Sequence, residues 1–393
     1  MKIAIAGAGI GGLTAAALLA RAGHEICVFD QFDAPRPVGS GLVIQPVGQA
    51  VLASSGALPH ALEKGNQIKQ MVGVEATHGR IALHVSYTKS GVDRFGLAIL
   101  RPSLFEAVLG AANASGARLI AAHRVIARQG QQLRFEDGAI SDPFDLIIDA
   151  AGAGSPLSAL KGRALPYGAI WSTVDLPDGG PLRPDMLHQR YHRASKMAGV
   201  MPSGSLPNEA TPKAAVFWSL GPGGYDDFRA APIKTWRDTA TALWPEFAPF
   251  AEQITDHDQM VMAQYTHGTL ARPYSDGLVH IGDAAHRASP QLGQGANMAL
   301  LDAYALTCAL QMAEGRAALA LYARLRRWHI WAYQAMSWAF TPQYQSDSRI
   351  LPILRDYALM PLSRIFPLPR VLSHVVGGDF LQPYAGLALA DAP

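Results

Sequence analysis

Cysteine, charge and long apolar runs are all scarce in this chain. Only 2 of its 393 residues are cysteine, which excludes a disulfide framework and makes a reducing cytoplasm the expected compartment. Charged residues make up 16%, with 33 basic against 31 acidic and no basic run, so no nucleic-acid partner is expected. No apolar run reaches the roughly 18 residues of a membrane span. Hydrophobic residues at 49% exclude a disordered chain.

Glycines interrupt the apolar start of the chain. A secretory signal needs an unbroken apolar helix, whereas this stretch is typical of a strand, a turn and a helix. The pattern predicts a strand at Lys2–Ala6, a helix at Leu13–Ala22 and a second strand at Glu25–Asp30. This is a βαβ unit with two parallel strands and a right-handed crossover.

The turn of this unit carries Gly7-x-Gly9-x-x-Gly12. The first glycine permits a tight turn, the second lets the backbone approach a pyrophosphate, and the third lets the helix pack on the strand. The helix N-terminus then offers unpaired N–H groups to the phosphates. Asp30, at the end of the second strand, is placed to accept hydrogen bonds from a ribose. The pattern predicts dinucleotide binding without deciding between NAD(P) and FAD.

A second motif occupies residues 277–303, with the sequence GLVHIGDAAHRASPQLGQGANMALLDA. It resembles the second FAD fingerprint of the FAD-dependent aromatic hydroxylases, the single-component flavoprotein monooxygenases typified by p-hydroxybenzoate hydroxylase. Together with the N-terminal unit and Arg101, followed by Leu104, the resemblance spans about residues 1–303.

The resemblance implies roles for individual residues. Asp283 would bind the ribityl chain of FAD, and Arg101 would lie near the cofactor. Pro290 would line the face on which oxygen and substrate react, while the catalytic base stays unknown. The remaining residues that the resemblance assigns to the cofactor are in the loop and helix after Asp283: Gly293, Gly295 and Asn297.

The fold class expected is α/β, a Rossmann-like FAD-binding domain with a β-rich substrate domain and a helical C-terminal region. The FAD-binding domain is discontinuous, because strands of one sheet are predicted on both sides of the β-rich insert. A Pro- and Gly-rich loop is predicted at residues 35–46. The domain boundaries expected are 1–66, 96–166 and 275–342 for the FAD-binding domain, 67–95 and 167–274 for the substrate domain, and 343–393 for the C-terminal helical segment.

The function implied by the resemblance is hydroxylation of an aromatic, phenol-like small molecule. NAD(P)H would reduce FAD, and O2 would react through a flavin C4a-hydroperoxide. One departure bears on the reductant: the family's Asp-Gly motif has Ala151-Gly152 here, although Ser155 matches. Two alternatives therefore stay open, an FAD-dependent dehydrogenase or reductase without oxygen insertion and a non-catalytic FAD-binding subunit.

Few charges accompany the aromatic residues of the insert, which indicates an apolar aromatic substrate. Trp171, Phe217 and Trp218 either face that substrate or fill the core. No metal site is expected, because His188 and His192, four apart, lie in a predicted strand or loop. Cys27 and Cys308 lie in apolar segments and are expected in the core.

The C-terminal third carries two more patterns. A helical stretch beginning at Arg324, Arg326 and Arg327 is expected to pack its aromatic residues into the core and to solvate its basic end. Farther on, arginines alternate with apolar residues in a way typical of a basic amphipathic surface. A homodimer or domain contact is the favoured explanation of that surface, and peripheral membrane contact the lesser one. The residues are Trp328, Trp331, Tyr333, Met336, Trp338 and Phe340 in the first pattern, and Arg355, Leu359, Leu362, Arg364, Ile365, Phe366, Arg370 and Val371 in the second.

Overall fold

The structure is a computed structural model, and it describes residues 1–33 and 40–384. The predicted loop at 35–46 and the end of the predicted segment 343–393 lie partly outside these residues. The strands are β1 Lys2–Ala6, β2 Glu25–Phe29, β3 Gly41–Ile44, β4 Asn66–Ile68, β5 Gln70–Glu75, β6 Ile81–Ser86, β7 Gly96–Leu100, β8 Arg118–Ile120, β9 Val125–Gln129, β10 Gln132–Phe135, β11 Leu146–Asp149, β12 Arg163–Asp175, β13 Met186–His192, β14 Lys196–Gly204, β15 Lys213–Leu220, β16 Val261–Thr269, β17 Tyr274–Ser275, β18 Leu278–His280 and β19 His286–Arg287. The helices are α1 Ile10–Arg21, α2 Pro46–Ser55, α3 Leu58–Lys64, α4 Arg101–Ala114, α5 Gly224–Ala230, α6 Ile233–Leu243, α7 Ala248–Ala251, α8 Gly295–Met312, α9 Gly315–Tyr344, α10 Leu351–Leu354, α11 Met360–Leu362 and α12 Leu368–Gly377.

A six-stranded sheet has the order β17-β18-β11-β1-β2-β8. Its pairs are parallel except at β17, so the carboxyl ends of β1, β2, β11 and β18 meet at one edge. That edge is where ligands bind in doubly wound α/β folds. The expected Rossmann-like sheet, with strands from both sides of the insert, is confirmed.

Helices α1, α4 and α8 cover one face of this sheet. Their apolar sides join the sheet in one large buried cluster that includes Leu13, Leu104 and Leu301. On the other face, Phe29 and Phe144 pack against the β9–β10 hairpin. Both faces of the parallel strands are therefore buried, which explains why their sequences are apolar throughout rather than alternating.

A larger sheet has eight strands in the order β19-β16-β12-β15-β14-β13-β5-β6. Its outer face packs on α6 and α7 through Trp218, Trp236 and Trp244. Its other face carries Tyr191 and Phe217 in a separate buried cluster. Most of its strands come from 67–95 and 167–274, although β12 begins at Arg163 and β19 lies at 286–287. We propose the domain boundaries given above on this distribution of strands.

The prediction of helices in the β-rich insert was incomplete. The sequence predicts one helix there, near Ile233–Trp244, which forms as α6. The structure adds the short helices α5 and α7, whose Phe228 and Phe250 are buried against the outer face of the eight-stranded sheet. Helices of fewer than two turns carry almost no periodic signal, and here packing against the sheet holds them.

The long helix α9 departs from the sequence analysis in two ways. It continues through Pro342, although proline is typical of a helix interruption, because this proline lies in the last turn and removes only one backbone hydrogen bond. The expectation that its aromatic residues pack in the core is wrong for three of them: Trp328, Trp331 and Trp338 are 59%, 63% and 71% exposed. Only one side of this helix meets the protein. None of the described helices is long and apolar enough to cross a membrane.

Candidate cofactor and substrate site

The glycine turn after β1 has the three properties that its sequence predicts. Gly7 has φ +106°, and a Cβ there would lie 2.6 Å from the Ala150 carbonyl oxygen. A Cβ on Gly12 would overlap the Gly7 carbonyl oxygen. A Cβ on Gly9 would have no neighbouring atom within 4 Å. Gly7 and Gly12 are therefore required by packing, and Gly9 keeps a space open before the first turn of α1.

A cavity of about 310 Å³, here the turn cavity, lies at the carboxyl edge of the parallel sheet. The first turn of α1 opens onto it, so unpaired N–H groups and the positive end of the helix dipole face this space. Five of the residues predicted to bind the cofactor line it: Gly9, Asp30, Arg101, Asp283 and Gly295.

Asp30 follows β2 and is held by backbone N–H groups. Its Oδ2 accepts from the Ala8 N–H at 2.7 Å, and its Oδ1 accepts from the Phe32 N–H at 3.1 Å. These bonds fix the carboxylate beside the glycine turn while each oxygen keeps a second lone pair. The arrangement suits an acceptor for a pair of vicinal hydroxyl groups.

A second cavity, the sheet cavity, has a volume of about 760 Å³ and adjoins the turn cavity. The two share Arg101, Asp283, Gly295 and Ala296 in their linings. One wall is the face of the eight-stranded sheet that carries Phe217. The opposite walls come from the loop before α8 and from the C-terminal helices.

The aromatic residues that the sequence analysis left open divide between the two faces of this sheet. Trp171 and Phe217 line the sheet cavity, with ring centroids 4.6 Å apart. The Trp171 indole N–H donates to the Tyr265 hydroxyl at 3.1 Å, and Tyr265 also lines the cavity. Trp218 points the other way, because neighbours on a strand face opposite sides, and it packs on Trp236.

Arg101 lies at the junction of the two cavities. Its side chain is accessible from the cavities but is otherwise surrounded by protein, and this burial lowers the pKa of its guanidinium. The Asp283 carboxylate and Tyr265 act in the opposite direction and favour the charged form. Arg101 is therefore a cation with one facing carboxylate, at the point where the two cavities meet.

The loop before α8 contributes Pro290 and Gly293 to the sheet cavity but not to the turn cavity. Gly293 has φ +61°, a backbone conformation that favours glycine. Gly295 begins α8 and lines both cavities, with nothing within 4 Å of a Cβ built on it. The loop thus runs along the sheet cavity, and Gly295 lies where the two cavities meet.

Asn297 does not line either cavity. It is fully buried, and its Oδ1 accepts from the Gln45 N–H at 2.8 Å. Its Nδ2 donates to the carbonyl oxygens of Val43 at 3.1 Å and Gly293 at 3.0 Å. We therefore propose that Asn297 acts through the position of the Gly293 turn, and not by direct contact with the cofactor as the sequence analysis expected.

A buried charge network beneath Asp283 was missed by sequence reasoning. Asp302, on α8, accepts from the Gly282 N–H at 2.9 Å and from Arg326 Nε at 2.8 Å, and His286 Nε2 lies 2.6 Å away. Burial alone raises the pKa of Asp302, but His286 and Arg326 outweigh it and lower this pKa to about 2. A single acid inside an otherwise apolar helix was the available signal. The network fixes the turn that presents Asp283, and His286 has a structural role in it.

The turn at Ala151, where the family's motif has aspartate, is held by hydrogen bonds to Asp149. Asp149, two residues earlier, is fully buried and accepts from the Ser155 hydroxyl at 2.7 Å, with His280 Nδ1 also at 2.7 Å. The Ala151 N–H donates to the same carboxylate at 3.2 Å. Asp149 therefore holds the turn together. Gly152 still lines the turn cavity.

Two other sequence expectations concern cysteine and metals. Cys27 is buried, whereas Cys308 is only partly buried, and neither forms a disulfide within the described residues. His188 and His192 lie on β13. Across 1–33 and 40–384, no cluster of three or more His, Cys, Asp or Glu side chains is arranged to hold a metal ion.

Known proteins share these features. Residues 182–337 match the family model described as FAD binding domain, and residues 5–36 match the one described as NAD(P)-binding Rossmann-like domain. A probable 2-heptyl-3-hydroxy-4(1H)-quinolone synthase of Rhodococcus erythropolis is 26% identical, covering 92% of this chain and 91% of the relative. The 6-hydroxynicotinate 3-monooxygenase of Bordetella bronchiseptica is 26% identical, covering 78% of this chain and 82% of that protein.

A solved structure also has a fold similar to that of this chain. The solved tetrameric form of 2-methyl-3-hydroxypyridine-5-carboxylic acid oxygenase superposes with a TM-score of 0.79 at 19% identity, covering 95% of this chain and 96% of that one. The glycine turn, the second motif and the sheet above the cavity junction all agree with these matches. The chain therefore carries an FAD-binding domain and an NAD(P)-binding Rossmann-like segment, and the homologues that it matches are FAD-dependent aromatic monooxygenases.

Proposed function

We propose that this chain hydroxylates an apolar, phenol-like aromatic molecule bound in the sheet cavity, with FAD in the turn cavity, NAD(P)H as the reductant and O2 as the oxidant. The observation that supports this proposal is the junction of the two cavities at Arg101, Asp283 and Gly295. A cofactor that spans the junction presents its reactive end to a substrate in the larger cavity.

The residues of the turn cavity fit FAD. The space at Gly9, before the first turn of α1, suits a pyrophosphate, and the anchored Asp30 carboxylate suits the adenosine ribose. Asp283 and Arg101 lie farther along, where the ribityl chain and the ring system would run. When bound, FAD supplies the electron transfer and the oxygen activation that no amino-acid side chain provides.

The protein's own task is to position the ring and to exclude water. Tyr265 is fixed by the Trp171 indole, and burial raises the pKa of its phenol, so Tyr265 stays protonated as a donor near neutral pH. Burial, Arg364 and Lys89 lower the pKa of His84, another residue of the cavity wall, so His84 is neutral there. The neutral imidazole is an acceptor that can take a substrate proton.

Charge in the sheet cavity favours an apolar substrate. Arg101 faces Asp283, and Arg355 is bound to Asp356 and to carbonyl oxygens. The charge of Arg355 is thus engaged, and that of Arg101 is opposed by a nearby carboxylate. The rest of the lining is dominated by apolar and thioether side chains, including Met71, Met197 and Met201, which adapt to irregular shapes.

The size of the cavity supports a ring with an apolar substituent. A volume of about 760 Å³ lies in the upper range for ligand sites and exceeds the needs of a bare phenol. The relative from Rhodococcus erythropolis is named for a quinolone that carries a heptyl chain. We therefore include alkyl-substituted aromatics in the proposed substrate class.

Ala151 is the observation that favours the second candidate, an FAD-dependent oxidoreductase without oxygen insertion. The family's motif aspartate is associated with both FAD and NAD(P)H, and only its neighbours Gly152 and Ser155 are present. A non-catalytic FAD-binding subunit is the third reading. The structure keeps the turn intact around Asp149, which supports a reductase step despite the substitution.

Anaerobic mixing of the flavin-loaded protein with NADH or NADPH tests the proposal. Flavin bleaching is followed alone, with an alkylphenol and with 4-hydroxybenzoate. We expect the alkylphenol to accelerate bleaching, and turnover in ¹⁸O₂ to place one labelled atom in the product. Substrate turnover without label would establish the oxidoreductase. Stimulation by 4-hydroxybenzoate alone would contradict the apolar substrate.

The same experiment addresses the third reading. Flavin that is never bleached by either nucleotide, over a panel of phenols, would favour the non-catalytic subunit. The cytoplasm stays the proposed compartment, because both cysteines of the chain are free thiols.

A further inference from the structure

A group of exposed apolar side chains lies between α9 and α12. We call it the C-terminal apolar face. Its most exposed members are Phe366 at 81% and Ile350 at 75%. Contiguous apolar surface of this kind is rare on monomeric proteins and marks a contact with a partner or a membrane. The face consists of Ile350, Ile353, Leu354, Tyr357, Leu359, Leu362, Ile365 and Phe366.

The C-terminal apolar face borders the sheet cavity. Leu359 and Leu362 belong to both the face and the cavity lining, and Ser363 beside them also lines the cavity. The segment is anchored from below, where Arg355 donates to the Gln343 carbonyl oxygen at 2.8 Å. The exposed side chains are therefore the outer side of a wall whose inner side meets the sheet cavity.

The charge around the face is positive. Arg349, Arg364 and Arg370 are exposed, and none of them forms an ion pair with a described residue. The guanidinium of Arg80 stacks on the Tyr357 ring, with 4.1 Å from its carbon to the ring centroid. Arg364 and Lys89 both lie near His84 and help to lower the pKa of its imidazole.

The acids of this segment are already engaged. Asp356 is bound by Arg355, and Asp347 accepts from the Tyr167 hydroxyl at 2.6 Å. No described carboxylate of the segment is thus left to balance the exposed arginines. An exposed apolar segment that also carries exposed, unpaired arginines complements a surface that offers both apolar groups and negative charge.

We propose that the C-terminal apolar face rests on a lipid bilayer that contains anionic headgroups. The apolar side chains would enter the acyl boundary, and the arginines would meet the headgroups. A second copy fits less well, because a two-fold interface places this basic patch against its own copy. The inference does not depend on the proposed reaction, although it gives an apolar substrate a route from the membrane to the sheet cavity.

Vesicle sedimentation tests the inference with the full-length, flavin-loaded protein. We expect co-sedimentation with phosphatidylcholine vesicles that contain phosphatidylglycerol, and much less with phosphatidylcholine alone. Each arginine near an anionic surface contributes about a factor of five in partitioning. Arg364→Glu with Arg370→Glu is therefore expected to weaken binding by at least about 25-fold. Ile365→Ser with Phe366→Ser removes the apolar part and is expected to abolish binding.

Matched controls lie on β10 and on the segment that pairs with it, where Ile140 bridges to Arg134. Ile140 is 52% exposed and Arg134 is also exposed, so Ile140→Ser and Arg134→Glu change the same chemistry away from the face. Both controls are expected to bind vesicles like the unmodified protein. Thermal melting shows that each variant is folded, which is expected because all the changed side chains are on the surface.

Two results would overturn the inference. The first is vesicle binding that is absent, or equal in the face variants and the controls. The second is a stable dimer in analytical ultracentrifugation that the face variants dissociate, without any vesicle binding. That second result would assign the face to another copy of this chain.

Discussion

Gly9 offers a test that separates the cofactor site from the stability of the fold. A Cβ on Gly9 meets nothing within 4 Å, whereas one on Gly12 overlaps a carbonyl oxygen. Gly9 has φ −75° and ψ −179°, which alanine adopts without strain. Gly9→Ala is therefore expected to fold, and its methyl group enters the space that we assign to the pyrophosphate.

The change in folding stability is the sum of two opposing contributions, and the change in FAD affinity has a single cause. Alanine is a poorer N-cap than glycine by up to about 1 kcal/mol. Alanine also restricts the unfolded chain more than glycine does, which stabilises the folded protein by about 0.4–1 kcal/mol. Stability of the flavin-free protein is thus expected to change by less than about 1 kcal/mol. Overpacking by one methyl group costs about 1–3 kcal/mol, which weakens FAD binding about 5- to 150-fold.

The assay is titration of flavin-free protein with FAD, followed by flavin fluorescence, beside thermal melting of the same samples. Gly110→Ala is the matched control, because Gly110 lies exposed on α4 with nothing within 4 Å of its Cβ position. Alanine there is expected to stabilise the helix by up to about 1 kcal/mol and to leave FAD affinity unchanged. Unaltered affinity in Gly9→Ala would refute the placement of the dinucleotide at this turn.

Three further outcomes are expected. Asp283→Ala is expected to purify with about tenfold less flavin or lower still, because a charged hydrogen-bonding group is lost. The exposed Asp276→Ala is the control. Full flavin occupancy in Asp283→Ala, equal to that of the control, would contradict the role of Asp283 in FAD binding. Asp302→Asn leaves Arg326 without its buried partner and is expected to lower the unfolding free energy by about 3–5 kcal/mol in urea titrations. Burial and Arg326 lower the pKa of His329 to about 3, so below pH 6.5 the unfolded chain binds a proton that the folded chain does not. Stability is then expected to fall by up to about 1.4 kcal/mol per pH unit between pH 6.5 and about 3, and His329→Gln, which still donates to Gly378 and accepts from Arg326, is expected to flatten this slope.

The parallel sheet and the cofactor motifs were within reach of the sequence because their signals are local. Gly7, Gly9 and Gly12 sit in one turn, and Asp30 ends the next strand. Backbone geometry at such a turn depends on the residues themselves.

Other features depend on contacts between distant segments. Asn297 meets Gln45 from the other end of the chain, so its burial could not be read from the second motif. The role of Asp302 depends on α9, which places Arg326 against its carboxylate. The exposure of Trp328 on α9 was likewise unpredictable, because an aromatic residue stabilises a core or an interface equally well and its own helix does not decide which.

The sequence alone therefore determined the βαβ unit, the dinucleotide turn and the resemblance to a flavoprotein family, since each is carried by residue types at fixed spacing. Tertiary structure alone decided which predicted residues line a cavity, which ones hold the turns in place and which apolar side chains stay on the surface. The physical reason is that conformational restrictions act between neighbours in the chain, whereas burial and charge pairing act between residues that only folding brings together.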